Sequence, residues 1–250
     1  MTTLRLTSRQ NPLLQHVRKL QASRAYRQRC GEFVADGTKL LEEAAKWCDG
    51  LQTVILSDDV SAPSLPESVQ VVRVPPDVMQ SISAMQTPQG ALFVCKYPPE
   101  RPFVLTPGTL VLDRIQDPGN VGTILRTADA LEIPVVLTSD CADPYNAKTV
   151  RASMGAVFRT PPQLASREEI LQQSRERGID LAVMVLSERA VDIRQANLSD
   201  CAVVIGSEGQ GVSQTFLQAA RRELIIPMNA RCESLNAAVA AVIVMWQMKI

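Results

Sequence analysis

Beyond residue 107, short apolar runs alternate regularly with longer segments in which apolar positions recur at helical spacing. Runs that are apolar throughout indicate strands buried on both faces, which are typical of parallel sheets. The alternation therefore predicts an α/β fold with a mostly parallel sheet covered by helices on both faces. The predicted strands are residues 109–113, 135–138, 181–186, 202–205 and 223–226. The predicted helices are residues 121–131, 147–158, 167–177, 214–220 and 235–248.

The N-terminal part of the chain has a shorter version of this pattern. Residues 11–20 and 37–47 have helical character. Apolar runs at residues 53–56, 69–72 and 91–95 suit buried strands. We predict a small α/β domain here.

A proline cluster separates the two patterns. Pro98, Pro99, Pro102 and Pro107 fall within ten residues, and proline at this density breaks helices and interior strands. The predicted organisation is a small domain over residues 1–98, a linker over 99–107 and a larger domain over 108–250.

Charge is unevenly distributed along the chain. The formal net charge is zero, which by itself argues weakly against a nucleic-acid partner. Residues 1–31, however, contain seven Arg or Lys residues and no Asp or Glu. A field of one sign attracts polyanions, so we predict a phosphate-contacting surface, the alternative being an ordinary solvated helix face. The candidate phosphate contacts are Arg9, Arg18, Lys19, Arg24 and Arg27.

Composition narrows the class of protein. Apolar residues make up 46% and charged residues 21%, as in ordinary globular domains. Six scattered cysteines without CxxC spacing and a single His lead us to expect reduced thiols, no metal site and a cytoplasmic location. No secretory leader is recognisable at the N-terminus. The most apolar stretch, residues 235–250, is too short and too polar to span a membrane, and we predict a buried terminal helix.

In open parallel sheets ligands bind at the carboxyl ends of the strands, so the loops that follow strands are the place to look for chemistry. The first such loop runs from Leu112 through Asp117-Pro-Gly-Asn120 into a helix. Asn120 suits a helix N-cap. Arg126 lies nearly two helical turns further on, so both side chains could line one edge of a cleft. On its apolar helix face, Arg126 is either an ion-pair partner or an anion clamp.

The second loop, Gly206-Ser-Glu-Gly-Gln-Gly211, places three glycines directly after an apolar strand. Such a loop allows a ligand to approach the backbone closely. Glu208 lies between two of the glycines. The spacing is GxxGxG, whereas dinucleotide sites have GxGxxG, and no suitable acidic residue follows a second strand. A nicotinamide enzyme is therefore disfavoured.

The third loop, residues 225–236, ends a strand at Pro227 and leads into the last helix. Ser234 could be the N-cap of that helix. Capping explains Asn236 less well, because Ser234 already occupies a suitable position. Asn236 is therefore a candidate site residue.

Together these segments resemble the SpoU (TrmH) family of SPOUT methyltransferases. The resemblance rests on Asn120-x5-Arg126, on Gly206-Ser-Glu-Gly-Gln-Gly211 and on Ile226-Pro-Met with Ser234-Leu-Asn236, in that order. The N-terminal region, with Ser8-Arg-Gln-Asn-Pro12 and Phe33-Val-Ala-Asp-Gly37, looks like the small L30e-like RNA-binding domain that precedes the catalytic domain in many members. The chain departs from the family pattern at Ser207, where Asn is common.

The resemblance implies a C-terminal trefoil knot that builds a pocket for S-adenosylmethionine, and a homodimer in which two subunits complete the site. It also implies methyl transfer to a ribose 2′-hydroxyl, and therefore an RNA substrate. The implied cofactor contacts, largely through backbone groups, are Leu186, Gly206, Ile226, Met228 and Leu235. The implied catalytic residues are Asn120, Arg126, Glu208, Ser234 and Asn236.

Methyl transfer from a sulfonium to oxygen requires no metal, but it requires alignment of the reacting atoms and removal of a proton. Arg126 is the family's proposed helper in deprotonation, yet a guanidinium stays protonated in proteins. We therefore expect Arg126 to hold the adjacent phosphate and to stabilise the developing alkoxide. Glu208 is a further candidate proton acceptor, and the other catalytic candidates orient the ribose and the cofactor.

Family members with such an N-terminal domain often modify ribosomal RNA, so the resemblance favours 23S ribosomal RNA, with tRNA as an alternative. A rival from another class is a non-catalytic RNA-binding or ribosome-assembly protein that keeps the fold. Such a protein would not need all five catalytic candidates. No membrane partner is expected.

Overall fold

The computed structural model describes residues 4–229 and 231–250. The described residues form two compact units. The first contains the residues up to Glu100 together with Asp143–Pro161, and the second contains Arg101–Ala142 and Pro162–Ile250. One boundary therefore lies inside the proline-rich segment, as the sequence suggests. The predicted domain over residues 108–250 is not continuous, because residues 143–161 belong to the first unit.

Each strand predicted from the sequence overlaps an observed strand. The strands are β1 (Leu4–Arg5), β2 (Glu32–Asp36), β3 (Leu51–Ser57), β4 (Gln70–Val74), β5 (Ala91–Lys96), β6 (Leu110–Asp113), β7 (Val135–Leu137), β8 (Gln163–Leu164), β9 (Asp180–Met184), β10 (Val191–Asp192), β11 (Cys201–Gly206) and β12 (Arg222–Ile225). The helices are α1 (Pro12–Ala22), α2 (Arg24–Cys30), α3 (Thr38–Trp47), α4 (Pro76–Ile82), α5 (Pro118–Ala130), α6 (Ala147–Ala152), α7 (Ala156–Arg159), α8 (Arg167–Arg177), α9 (Gln214–Ala219) and α10 (Ala237–Gln247). A 3₁₀ helix covers Ile193–Gln195.

The first unit contains a mixed sheet with the strand order β1-β4-β3-β5-β2. The strands β1 and β3 run parallel to β4, whereas β5 runs antiparallel to β3 and β2. In α1, Leu14, Val17 and Leu20 are fully buried, because their spacing of three residues places them on one helical face. They join a core cluster with residues of α4 and of the strands. This is the small α/β fold expected for this part of the chain.

The returning segment 143–161 packs into the first unit through aromatic side chains. The ring of Tyr145 lies 4.9 Å from that of Phe33 and 4.6 Å from that of Tyr97, measured between centroids. The guanidinium of Arg27 donates to Asp143 Oδ2 at 2.6 Å from Nη2, and both side chains are buried. The segment therefore contributes to the core of the first unit.

Residues 147–158, predicted as one helix, form two short helices. The helix α6 ends before Ser153, and α7 starts after Gly155. Between them Met154 and Gly155 have φ values of 49° and 90°. Two successive residues in the left-handed region cannot continue a right-handed helix. The glycine at position 155 was the sequence signal for this break.

Two helices and two strands of the first unit were not predicted. The helix α2 has a capping signal, since the Ser23 hydroxyl accepts a hydrogen bond from Tyr26 N and Gly31 ends the helix with φ 65°. Its residues are mostly polar, so it lacks the apolar periodicity on which the prediction relied. The helix α4 and the strands β1 and β2 are also short, and short elements carry weak periodic signals.

The second unit contains a fully parallel sheet of seven strands in the order β10-β12-β9-β11-β6-β7-β8. The central strands are largely apolar, and β6 and β11 are almost entirely buried. Asp113 and Gly206, the last residues of β6 and β11, lie opposite each other in register. The loops that follow these strands therefore start side by side. The predicted fold class is confirmed, while the trefoil knot remains a prediction.

The last helix, α10, is buried on one face only. Ala237, Ala238, Ala241, Val244 and Met245 are buried. The opposite face carries large apolar side chains that are exposed, namely Val239, Val242, Ile243 and Trp246. The prediction of a buried terminal helix is therefore wrong for this second face. None of the described helices is both long enough and apolar enough to cross a lipid bilayer.

Candidate active site

A cavity of about 410 Å³ opens at the carboxyl ends of β9, β11 and β12 in the second unit. Its wall is formed by the ends of these strands, by the glycine loop (residues 206–211) and by the start of α10. All five predicted cofactor contacts line this cavity, and so does Ser234: Leu186, Gly206, Ile226, Met228, Leu235 and Ser234. The position agrees with the rule that parallel sheets bind ligands at their carboxyl edge.

The glycine loop closes so tightly that its first residue has no room for a side chain. A Cβ atom on Gly206 would lie 2.1 Å from the carbonyl carbon of Gly211 and 2.2 Å from Val212 N. Gly211 has φ 62°, and its N–H donates to the carbonyl oxygen of Ser207 at 2.8 Å. Glycine is therefore required at position 206 for steric reasons and is favoured at position 211 by the backbone conformation.

Three of the predicted catalytic residues form one hydrogen-bonded cluster. Asn120 Nδ2 donates to Glu208 Oε1 at 2.5 Å, and Asn236 Nδ2 donates to Asn120 Oδ1 at 3.1 Å. The backbone N–H of Ala237 also donates to Glu208 Oε1, at 3.2 Å. The packing of α5 against α10 brings the two asparagines together. The chain Asn236–Asn120–Glu208 thus links all three strand-end loops.

One carboxylate oxygen of Glu208, Oε1, accepts hydrogen bonds from the described residues. No described residue donates to Glu208 Oε2, and the side chain is exposed to solvent. Among the described residues that line the cavity, Glu208 is the one with a titratable side chain. Its second oxygen is therefore available to accept a hydrogen bond or a proton from a bound molecule.

Both asparagines have different capping roles from those expected. The N-cap of α5 is Asp117, whose side chain accepts from Asn120 N at 2.9 Å, so the amide of Asn120 is free for the cluster. The N-cap of α10 is Asn236, whose Oδ1 accepts from Ala238 N and Val239 N, while Ser234 lies before the helix. Asn236 therefore caps a helix with its oxygen and binds Asn120 with its nitrogen.

Arg126, like Ser234, is a predicted catalytic residue that does not join the cluster. It lies on α5 about 9 Å along the helix axis from Asn120, at 1.5 Å per residue. The side chain is exposed and makes no hydrogen bond or ion pair with any residue in the described ranges. An exposed, unpaired guanidinium is able to bind an anion.

The predicted phosphate contacts of the first unit differ in their surroundings. Arg27 is 3% exposed and donates to Asp143 and to the carbonyl oxygens of Leu20 and Gln21. The expectation that Arg27 contacts phosphate is therefore wrong, because its guanidinium is buried and saturated with acceptors. Arg18 is half-buried and donates to the carbonyl oxygens of Arg9 and Ser81.

The remaining cations of this segment lie nearer the surface. Arg9 is exposed and pairs with Asp77 at 2.7 Å, and Arg24 is half-buried. Lys19 and Arg29 are exposed and lie over the ring of Tyr26, at 5.8 Å and 4.9 Å from its centroid. The sequence prediction omitted Arg29, although it lies in the same basic run.

The sequence analysis also missed Asp113 and Arg114, which follow one another at the end of β6. Asp113 is fully buried, and Arg114 contacts the glycine loop. Their position immediately after a predicted strand was the available signal. No group of three or more His, Cys, Asp or Glu side chains suited to a metal ion occurs among residues 4–229 and 231–250.

A parallel α/β sheet with a cavity at its carboxyl edge, a tight glycine loop and an Asn–Glu–Asn cluster at the rim agrees with the class of SPOUT RNA methyltransferases. Residues 107–246 match the SpoU rRNA Methylase family, and residues 11–92 match the MRM3-like substrate binding domain. The chain belongs to the SpoU rRNA Methylase family. The predicted family and enzyme class are thereby confirmed.

Individual relatives resemble the whole chain. A 23S rRNA (guanosine(2553)-2′-O)-methyltransferase, RlmP, of Bacillus subtilis is 29% identical over 98% of both chains. An uncharacterized tRNA/rRNA methyltransferase of Synechocystis is 31% identical over 97% of this chain and 92% of its own. The crystal structure of an AdoMet-bound rRNA methyltransferase from Sinorhizobium meliloti has a TM-score of 0.86 at 27% identity, covering 99% of this chain and 97% of its own.

Proposed function

We propose that this chain transfers a methyl group from S-adenosylmethionine to a ribose 2′-hydroxyl of ribosomal RNA, at the mouth of the cavity in the second unit. The observation that carries the proposal is the Asn236–Asn120–Glu208 cluster at the rim of a glycine-loop cavity. The relative from Bacillus subtilis, similar along its whole length, is named as a 23S rRNA 2′-O-methyltransferase.

The cavity suits S-adenosylmethionine in size and in chemistry. Its volume of about 410 Å³ lies within the range of small-molecule sites, roughly 300–1,000 Å³. The absence of a side chain at Gly206 lets the backbone of residues 211 and 212 fold against it, and this closed loop forms part of the cavity wall. Leu186, Ile226 and Leu235 supply apolar surface for an adenine ring. When bound, S-adenosylmethionine supplies an electrophilic methyl group on a sulfonium.

Glu208 accepts the proton of the ribose hydroxyl through Oε2. Its other oxygen, Oε1, is held by the amide of Asn120 and by Ala237 N, so the carboxylate is oriented before the substrate arrives. Asn236 fixes Asn120 in turn. A proton acceptor positioned in this way contributes typically 10²–10⁴-fold to a rate.

Arg126 binds the phosphate next to the target ribose. Its guanidinium is exposed on the same helix as Asn120 and has no intramolecular partner among the described residues. A permanent positive charge near the reacting oxygen stabilises the developing alkoxide without any proton transfer by the arginine itself.

The first unit binds RNA through the exposed cations around Tyr26. Lys19 and Arg29 lie on neighbouring helices and share this ring, so their charges are held close together. Phosphate contacts of this kind position an RNA without reading its sequence. The cytoplasmic location and the independence from metal remain predictions.

The active form is a homodimer, and the exposed face of α10 is its contact surface. Val239, Val242, Ile243 and Trp246 recur at the spacing of one helical face, and Trp246 is 61% exposed. Apolar stripes of this kind mark protein interfaces, and a second copy of the same helix provides a matching stripe in a two-fold dimer. The same helix supplies Ala237 and Ala240 to the cavity, so the interface adjoins the site. Trp246→Glu should yield monomers in sedimentation analysis, whereas a monomeric wild type would contradict this assignment.

Incubation of the protein with methyl-labelled S-adenosylmethionine and purified 23S ribosomal RNA or tRNA tests the proposed function. We expect label in ribosomal RNA, in nucleotides resistant to alkaline cleavage because their 2′-oxygen is blocked. Arg126→Ala should abolish transfer while leaving cofactor binding nearly unchanged. Label in tRNA alone would show that tRNA, and not ribosomal RNA, is the substrate. RNA binding without label would favour a non-catalytic assembly protein.

A further inference from the structure

Arg114 adopts a backbone conformation that is rare for a residue with a side chain. It directly follows β6 and has φ 61°. Among the described residues, Glu132 and Met154 are the two other non-glycine residues in the left-handed region. Such a conformation costs folding energy, and it persists where surrounding contacts enforce it, often at functional sites.

This conformation directs the Arg114 guanidinium to the far end of the glycine loop. Nη1 donates to Gln210 Oε1 at 2.9 Å, and Nη2 donates to the carbonyl oxygen of Gly211 at 3.3 Å. The third nitrogen, Nε, is buried and has no partner among the described residues. Gln210 and Gly211 line the cavity. Arg114 therefore contacts two residues of the cavity wall and is not itself one of the lining residues.

The neighbouring residue, Asp113, holds the segment that follows the loop. Its Oδ2 accepts from Ser213 N at 2.6 Å, and its Oδ1 accepts from Arg167 Nε and Nη2 at 2.9 Å and 2.6 Å. Arg167 Nη2 also donates to Asp140 Oδ2 at 2.6 Å. Burial raises the pKa of Asp140, but hydrogen bonds from Thr138 and Arg167 outweigh it and lower that pKa below its usual value.

We infer that Arg114 is a positioning residue for the cofactor cavity, fixing the far end of the glycine loop while Asp113 and Arg167 hold Ser213 in the segment beyond the loop. The inference rests on the proposed function, because it takes S-adenosylmethionine as the ligand of that cavity. Glu208 lies within the same loop, so the cavity wall and the rim cluster both depend on the loop geometry.

The variant Arg114→Gly separates positioning from folding. Glycine adopts φ 61° without strain, which offsets the two lost hydrogen bonds and the greater chain entropy of glycine, so the melting temperature should stay close to that of the wild type. Loss of the two hydrogen bonds should raise the Kd for S-adenosylmethionine about tenfold in calorimetric titration. The KM for S-adenosylmethionine should rise with it, while the KM for RNA stays within about twofold. Arg114→Lys should give an intermediate Kd, because an ammonium lacks the fork that reaches both acceptors.

Glu132→Gly is the matched control. It relieves the same kind of backbone strain at an exposed position after α5, and it should leave the Kd for S-adenosylmethionine unchanged. A Kd within twofold of the wild type for a folded Arg114→Gly protein would overturn the inference. If the wild-type protein does not bind S-adenosylmethionine, the proposed function itself is contradicted. If the wild-type protein binds it and the Kd of Arg114→Gly is unchanged, only the role inferred for Arg114 is contradicted.

Discussion

The strand-end loops of the second unit and the basic segment of the first unit present a contrast. Both were predicted as binding regions, the loops from residues at fixed spacings and the basic segment from an excess of positive charge. In the loops, Asn120, Glu208 and Asn236 join in one cluster. In the basic segment, Arg27 is buried in an ion pair with Asp143, and Arg18 is bonded to backbone carbonyls.

The difference has a physical origin. A spacing such as that of the glycine loop constrains the backbone, since Gly206 has no room for a Cβ, and the backbone then determines where the intervening Glu208 lies. An excess of positive charge in a segment places no such constraint on the backbone. An arginine side chain is long and has five donors, so it finds intramolecular acceptors wherever the fold provides them. An excess of charge therefore predicts which segment binds a ligand, whereas a motif with fixed spacing predicts which individual residues lie at the site.

The largest expected effect distinguishes two arginines of the helix α2. Arg27→Ala leaves the buried Asp143 without its partner and should cost about 3–5 kcal/mol of stability. Arg29→Ala removes an exposed cation and should change stability by no more than about 0.5 kcal/mol. Urea unfolding of both variants measures the difference. Equal losses would mean that Arg27 is not a structural residue and would restore it as a candidate RNA contact.

Within the rim cluster, Glu208→Gln should lower kcat by roughly 10²–10³-fold, because an amide cannot accept the proton that a carboxylate accepts. The Kd for S-adenosylmethionine should stay within about threefold, since the cavity wall is retained. Single-turnover methyl transfer measures the chemical step. Glu233→Gln, which changes an exposed carboxylate of the third loop, is the control and should keep full activity. Activity of Glu208→Gln within tenfold of the wild type would remove Glu208 as the proton acceptor.

The two roles of Asn236 are separable by a pair of substitutions. Asn236→Ala removes both the helix cap and the hydrogen bond to Asn120, and it should cost about 1 kcal/mol of stability as well as activity. Asn236→Asp keeps an acceptor for the cap but lacks the amide donor, so it should keep stability and lose activity roughly tenfold. Thermal unfolding and methyl-transfer rates measured together test this. Full activity in Asn236→Asp would limit Asn236 to capping.

The smallest effect is expected on the surface of the first unit. Replacing Lys19 and Arg29 together by Ala should weaken RNA binding about three- to tenfold and reduce the salt slope by about 1–2. Replacing Arg175 and Arg177, exposed cations of α8, by Ala is the control and should leave the slope unchanged. Equal slopes in both double variants would show that the cations around Tyr26 form an ordinary solvated face.

Local patterns were sufficient for most of the fold and for part of the site. The buried parallel strands were predicted because they form short, largely apolar runs, and each predicted strand overlaps an observed one. Sequence patterns did not predict structural details that depend on one or two residues. The helix break at Met154 and Gly155 depends on two backbone dihedrals, and the N-cap of α5 is Asp117, whereas the expected cap was Asn120.

The sequence by itself determined the α/β class and the parallel sheet of the second unit, because buried strands leave periodic, local signals. The residues at the cavity were predicted from the resemblance of three sequence motifs to the SpoU family. Only the tertiary structure decided that residues 143–161 join the first unit, that Arg27 is buried and that Asn236 both caps a helix and binds Asn120. These outcomes depend on contacts between residues far apart in the chain. Such contacts are selected by packing and by the need to pair every buried polar group, and neither requirement leaves a periodic mark on the sequence.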